Sequence, residues 1–484
     1  ERSAEVKGPR GGVNFSALRA MENLVAPKPH IDSDLLAADG KTLLRSDRAK
    51  SERWREHLAD LFSSEQDVDL AFIHQQVPQR PVIQHLADAP SRKEYETAIK
   101  SLKSGKAAGS DGVTAELLKS APEEFSDIFF DLIVECWVKG TVPKRWKDCM
   151  MVMLFKGKGD PKMCDNYRSI SLLCIPGKVM TAILAGRLCE LNEATLSECA
   201  NGGRAGRGTV DCLHLVRWLL EQVDAAGQTS NVPARIHMVL VDLRKAFGSC
   251  VRTGIWTVLA RQGAPVKLVN LLRSFHDGME ALVRHNGTDG EPFKCKTGVR
   301  EGCLVAAHLF NALYGAALDV WRSNLPDGVQ VKFRFHTDGK LRPHQRTGET
   351  SRFSGATNAL NGRITDTIFM DDTTLFTSSW SNCKAQYASF DDVVTKFGFT
   401  ISVPKTKHIV AGHNDTSGEH LKDIETVNSS KLLGSVVAAD STFDAEVTHR
   451  LATAGKAWRS LKIPCFTNKL VNIKGQATVF RAFV

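Results

Sequence analysis

No run of 18 apolar residues occurs in the 484-residue chain, so the sequence offers no candidate for a membrane-spanning helix. No signal-peptide pattern opens it, and no tandem repeat points to a solenoid. Twelve cysteines are present, yet none forms a Cys-x-x-Cys pair and none has a clustered histidine partner. Spacings such as Cys164 to Cys174 and Cys189 to Cys199 are irregular for zinc, so thiols in a reducing compartment are expected. Methionine is missing from position 1, where Glu1 stands, which leads us to expect a processed chain or a fragment.

What is present allows a large core, expected to be spread over two or three subdomains. The formal net charge of +9 suits a polyanionic partner without specifying one. Its distribution says more. Lys144, Arg145, Lys147, Lys156, Lys158, Lys162 and Arg168 crowd one segment, and Lys332, Arg334, Lys340, Arg342, Arg346 and Arg352 crowd another. Either cluster alone could be a solvated face. Flanking one site, they would wall a nucleic-acid backbone, with affinity that falls steeply as salt rises.

Residues 364–378 place Asp371 and Asp372 at the tip of an expected β-hairpin. Its arms, Thr367-Ile368-Phe369-Met370 and Thr373-Thr374-Leu375-Phe376, are rich in β-branched and aromatic residues. Adjacent strand residues point to opposite faces, so a tight turn is one of few places where both carboxylates can serve one site. Two like charges about 4 Å apart repel by about 4 kcal/mol at an effective dielectric of about 20. Cations, such as a pair of divalent metals with a transferring phosphate, would neutralise them. The chain carries its own control, Asp391-Asp392, in a mixed stretch from Lys384 to Phe397 that reads as an amphipathic helix. A third acid, Asp242, ends the apolar run Ile236-His237-Met238-Val239-Leu240-Val241, which reads as a buried strand. The plainer alternative is that Asp242 caps a helix over Leu243–Phe247.

The order of segments is distinctive. Lys106-Ala107-Ala108-Gly109-Ser110-Asp111-Gly112 precedes Phe155-Lys156-Gly157-Lys158-Gly159-Asp160 and Asn166-Tyr167-Arg168-Ser169-Ile170-Ser171-Leu172-Leu173. Gly203-Arg204-Ala205-Gly206-Arg207-Gly208-Thr209-Val210-Asp211 and Val241-Asp242-Leu243-Arg244-Lys245-Ala246-Phe247 follow. Then come Gly298-Val299-Arg300-Glu301-Gly302-Cys303 through Leu309-Phe310-Asn311, Phe369-Met370-Asp371-Asp372, Gly398-Phe399-Thr400-Ile401 with Lys405-Thr406-Lys407, and Lys431-Leu432-Leu433-Gly434-Ser435. In this order they resemble the reverse transcriptase domain of non-LTR (LINE-type) retrotransposons through most of residues 40–460. A group II intron maturase is the nearest alternative, but residues 431–435 resemble the LINE pattern more.

The resemblance implies an α+β right hand: fingers, a palm of antiparallel sheet plus helices, and a truncated helical thumb. It implies an N-terminal linker and helical extension over 1–90, fingers over 91–235, palm over 236–435 and the start of the thumb over 436–484. It further implies RNA-directed DNA polymerase activity with an RNA template, a DNA primer, dNTPs and two Mg2+ ions, Mn2+ being a substitute. Asp242, Asp371 and Asp372 match the metal-holding acids, and Lys405 the proton donor to pyrophosphate. Arg168, with Lys156 or Lys158, matches the triphosphate clamp. Phe247 matches the aromatic gate against a ribose 2′-hydroxyl, Glu301 and Gly302 the nucleotide pocket, and Leu432, Leu433 and Gly434 the primer grip. Localisation to cytoplasm and nucleus follows only from that substrate.

Some positions depart from the family pattern. Glu301 stands for a glutamine, exchanging amide donors for a carboxylate that would face the triphosphate. Val305, Ala306 and Ala307 replace prolines or serines, Gly248 an aspartate, and Gly203 a phenylalanine. These changes carry the alternative expectation of a decayed copy that binds nucleic acid without turnover. The endonuclease and cysteine-rich segment of intact elements are not seen, and the chain is expected to stop in mid-thumb at Val484.

Local patterns fill in the rest. Residues 1–50 read as a poorly ordered linker to the Asp39-Gly40 turn, and 63–90, with Pro78, Pro81 and Pro90, as a second irregular segment. Helices are expected over Ser46–Phe62 with an apolar stripe of Trp54, Leu58, Leu61 and Phe62, from a capping box at Ser91, and over 251–262, 303–323 and Asp444–Leu461. Residues 324–363 read as a long charged excursion. Ile170, Leu172 and Leu173 are expected in the core.

Overall fold

The computed structural model describes residues 34–63, 67–157, 159–229, 235–286, 288–300, 302–325, 328–335, 358–412, 421–462 and scattered positions beyond. Two units are distinguished, 34–427 and a smaller one beginning at Asn428.

The larger unit opens with an antiparallel pair, β1 (Leu35–Leu36) and β2 (Leu43–Leu44), where a linker is expected. The Asp39 carboxylate accepts hydrogen bonds from the backbone of Lys41 and Thr42 at 2.8 and 2.9 Å, the local bonding that gives Asp its turn preference. Helix Asp47–Ser63 then buries Trp54, Leu58 and Phe62 at four-residue spacing. The second irregular segment is also corrected. Helix Leu70–Gln76, capped by Asp69 accepting from the Phe72 amide, packs on helix Arg252–Arg261. Prolines made that stretch look broken, but Pro78 lies just past the helix end, where proline is tolerated. The capping box at Ser91–Glu94 is present and opens helix Arg92–Ser101.

β3 (Cys149–Phe155) and β4 (Tyr167–Leu172) pair antiparallel, and Leu173 beyond them is buried. Ile170 is not core: it is 37% exposed, on the β4 face shared with Arg168, because strand residues two apart share a face. The next strand, β5 (Ile236–Val241), is buried at all six positions, as expected for a strand covered on both sides. β6 (Glu280–His285) joins β3 in parallel, with β7 (Thr288–Asp289) and β8 (Phe293–Lys294) on its other side. Helix Ala306–Ser323 is buried along most of its length, with Leu309, Phe310, Leu313, Tyr314 and Trp321 inside. Within the expected excursion, β9 (Val329–Phe335) pairs with β10 (Asn358–Ile364). Lys340, Arg342, Arg346 and Arg352 lie outside the described residues.

The sheet that matters for chemistry has the order β11-β12-β5-β13-β14. Its other strands are β11 (Asp366–Phe369), β12 (Asp372–Thr377), β13 (Lys407–Ala411) and β14 (Glu425–Thr426). All neighbours are antiparallel except β13 and β14. Helix Trp380–Lys396 packs against β12 and β5. The smaller unit contains the hairpin β15 (Ser429–Leu432) and β16 (Ser435–Ala438) and helix Asp444–Leu461, the bounds expected for that helix. Among the described residues no helix is long and apolar enough to cross a membrane.

Candidate active site

The β11–β12 hairpin closes at the Phe369↔Asp372 pair, leaving Met370 and Asp371 as its two-residue turn. Short hairpin turns need left-handed backbone, and Met370 supplies it at φ +59, a conformation that costs a non-glycine residue about 1–2 kcal/mol. Strain of this kind persists where the surroundings dictate it. On the next strand Thr373 pairs with Val241, so continuing the antiparallel register sets Asp372 beside Asp242. Neighbouring strands run about 4.8 Å apart. Asp242 does not cap a helix. The short helix Ala246–Ser249 follows a left-handed Lys245 instead, and the Asp242 backbone is held by Ser402 and Thr406.

Electrostatics tie both turn acids to Asp242. Burial raises the Asp371 carboxyl above its ordinary value and the Asp242 charge adds to this, while Lys405 and Arg168 oppose it. Asp372 is pushed up to about 6 by burial, then by Asp371 and Asp242. Lys405 lies within salt-bridge range, its Nζ 3.2 Å from Asp242 Oδ1. The carboxylates nevertheless stand further apart than a closed ligand set: among the described residues, only a buried histidine–cysteine trio brings three donor atoms within 4.8 Å of one another. Hard oxygen donors with crowded charge suit divalent cations such as Mg2+.

This arrangement agrees with the comparisons. A family model described as "Reverse transcriptase (RNA-dependent DNA polymerase)" matches residues 156–437. The chain belongs to the reverse transcriptase family. Relatives place it in the non-LTR retrotransposon branch. It is 24% identical to the "Transposon TX1 uncharacterized 149 kDa protein" of Xenopus laevis over 48% of this chain and 17% of that protein. It is 25% identical to the "RNA-directed DNA polymerase from mobile element jockey" of Drosophila melanogaster over 50% and 25% respectively. A "Probable RNA-directed DNA polymerase from transposon BS" of the same fly matches at 25% over 45% and 24%. The chain thus spans at most 25% of the length of these relatives.

The other expected site residues of this reverse transcriptase domain fall into three groups. Arg168 is exposed on β4 and close enough for its charge to act on Asp371. Phe247 is half-buried, stacked on Phe310 with ring centroids 4.9 Å apart. Its carbonyl accepts from Val299, and Gly298 donates to Cys250, which ties the Gly298-Val299 motif to the aromatic wall. Glycine is needed at 298: φ is +77, and a Cβ would stand 2.6 Å from the Gly248 carbonyl oxygen. A Cβ at Gly302 would lie 3.2 Å from Ser171 O, so this residue backs onto β4. A second group is engaged elsewhere or belongs to the smaller unit. Lys156 donates to the Asp165 carbonyl at 2.6 Å. In the smaller unit Leu432 ends β15, and left-handed Leu433 and Gly434 form the turn to β16. The third group, Lys158 and Glu301, lies outside the described residues.

Several residues support the site in ways the sequence did not signal. Arg300 is 1% exposed and donates to the Trp146 and Lys147 carbonyls, so it braces the motif from inside. Arg252 does the same with the carbonyls of His276, Cys295, Thr297 and Gly298. Tyr314 shares a 2.7 Å hydrogen bond with Thr373 directly behind the acids. The backbone at 199–201 bridges to Ile368 and covers the outer edge of β11. There a Cβ on Gly202 would meet the Met370 amide at 2.4 Å, and one on Gly203 the Asn311 side chain at 2.9 Å. The glycine in place of the family's phenylalanine therefore fits a site with no room for a ring. The expectation that no cysteine has a clustered histidine is also corrected, because Cys383 meets His237 and His408.

Proposed function

We propose that this domain copies RNA into DNA as the polymerase core of a non-LTR element, with residues 236–435 as palm, 91–235 as fingers and the segment after 435 as the start of the thumb. The observation that carries the reading is the register that aligns Asp242 with the Asp371-Asp372 turn. Asp242, Asp371 and Asp372 would hold two Mg2+ ions, which when bound would supply Lewis acidity to the primer 3′-hydroxyl and positive charge opposite the departing pyrophosphate.

The protein's own groups do the rest. Arg168 clamps the triphosphate through its planar guanidinium, with Lys156 or Lys158 as a second cation. Phe247, braced by Phe310, stands against the sugar and rejects a 2′-hydroxyl. Lys405 leaves Asp242 when the acids are neutralised and delivers a proton to pyrophosphate. Gly302 and Glu301 line the nucleotide pocket, and the 432–434 turn grips the primer. The basic residues from Lys144 to Lys162 contact the template–primer backbone.

Primer extension on poly(rA)/oligo(dT) in Mg2+ tests this. DNA product that requires Mg2+ and disappears in Asp371→Asn is expected. Retained template–primer binding without any extension would overturn the polymerase reading and leave only nucleic-acid binding.

A further inference from the structure

A second constellation lies in the same sheet, far from carboxylate chemistry in kind. His237 is the second residue of β5 and His408 lies on β13. The register pairs His237 with Val410 and His408 with Val239, so the imidazoles sit diagonally across the two strands on one face. Helix Trp380–Lys396 covers β5 and contributes Cys383 from its first turn. All three side chains are buried.

Their spacing is that of a coordination sphere. His237 Nδ1 is 3.3 Å from His408 Nε2, and His408 Nε2 is 3.9 Å from Cys383 Sγ. A tetrahedral zinc with Zn–N of about 2.05 Å and Zn–S of about 2.3 Å separates its nitrogens by about 3.3 Å and nitrogen from sulfur by about 3.6 Å. The surroundings fit as well. His408 Nδ1 lies 3.1 Å from Thr426 Oγ1, an outer hydrogen bond that holds the ring with Nε2 turned toward His237 and Cys383. The Trp380 ring, 5.9 and 5.7 Å from the two imidazoles, supplies an apolar wall. Opposite His237 on β12, the buried Thr377 hydroxyl has no hydrogen-bond partner and can hold a solvent molecule in the fourth position.

We propose that His237, Cys383 and His408 bind one zinc-class transition-metal ion that ties β5 and β13 to helix Trp380–Lys396. Soft and borderline donors select such ions over Mg2+, so this site and the carboxylates are chemically distinguishable. The ion is structural: it braces the two strands that lead to Asp242 and away from Lys405.

The test uses the whole chain purified without chelator, analysed for metal and then reloaded with Co2+. About one zinc per chain and a thiolate-to-cobalt charge-transfer band are expected. Both should be lost in Cys383→Ser and in His408→Gln and unchanged in the Asp371→Asn Asp372→Asn double variant. A folded wild-type chain with no zinc and no cobalt–thiolate band would overturn the proposal and leave a hydrogen-bonded imidazole pair. A band that survives in Cys383→Ser would overturn it too, by placing the metal on another thiol. Because the decisive spectrum is read on wild-type protein, a variant that fails to fold does not spare the idea.

Discussion

Asp371-Asp372 and Asp391-Asp392 are the same dipeptide in two environments. The first sits in a strained hairpin turn, faces a third acid across a strand pair, and has both carboxyls raised by burial and by neighbouring negative charge. The second lies on the solvent side of helix Trp380–Lys396, where Asp392 pairs with Lys396 at 2.8 Å. Asp391 is raised as well, by burial and by Asp392, but no third carboxylate contributes. Chemistry therefore comes from the register that brings a distant strand alongside. The dipeptide alone does not confer it.

The largest effect should break that comparison outright. Asp371→Asn or Asp242→Asn should lower incorporation by about 10^3-fold or more, since each 1.36 kcal/mol of lost transition-state stabilisation is tenfold. The Asp391→Asn Asp392→Asn double variant should stay within about twofold, because exposed surface changes are worth at most about 0.5 kcal/mol. Extension rates under single-turnover conditions check both.

A third kind of aspartate sharpens the contrast. Asp366 is fully buried at the far end of β11 and takes a bidentate pair from Arg322 at 2.8 and 2.6 Å, while Arg322 also reaches Asp319. Removing one partner of such a pair strands a buried charge, so Asp366→Ala should cost about 3–5 kcal/mol of stability. Urea unfolding measures this, and incorporation per folded molecule should be unchanged.

Next in size is the sugar gate. Phe247→Ala should relax discrimination between dTTP and UTP by about 10- to 100-fold, the range for losing a shaped apolar contact. The ratio of kcat/KM values for the two nucleotides reads it.

A smaller effect concerns pH. Asp372 has a folded value of about 6 against an ordinary 3.8, so the folded, metal-free chain keeps a proton that the unfolded chain releases. The stability from this proton is fully present below the unfolded value and is lost as pH rises through about 6. Asp372→Asn should therefore raise the thermal midpoint in EDTA at about pH 8 and leave it unchanged at about pH 4, whereas Asp392→Asn should leave it nearly unchanged at both. The smallest expected change is a gain: Glu301→Gln restores amide donors and should improve dNTP use a few-fold.

Much of this site could be read from residue order because its signals are local. β-Branched and aromatic residues marked the hairpin arms, a largely apolar run marked β5, and a capping box marked helix Arg92–Ser101. Pairing partners were not readable, since contacts between residues 237, 383 and 408 depend on strand register and leave no spacing motif. Ile170 misled for a related reason: its hydrophobicity predicted burial, while the pleat put it on the face of Arg168. Helix Leu70–Gln76 was hidden by Pro78 and Pro81, which follow it without entering it.

The central claim is that three acids share divalent cations during nucleotidyl transfer. Counting Mn2+ ions by electron paramagnetic resonance, with template–primer and a non-hydrolysable dNTP bound, tests it most directly. Two Mn2+ ions per chain in wild type and in the Asp391→Asn Asp392→Asn variant, with loss in Asp371→Asn, is the predicted result; equal counts in all three proteins would contradict it.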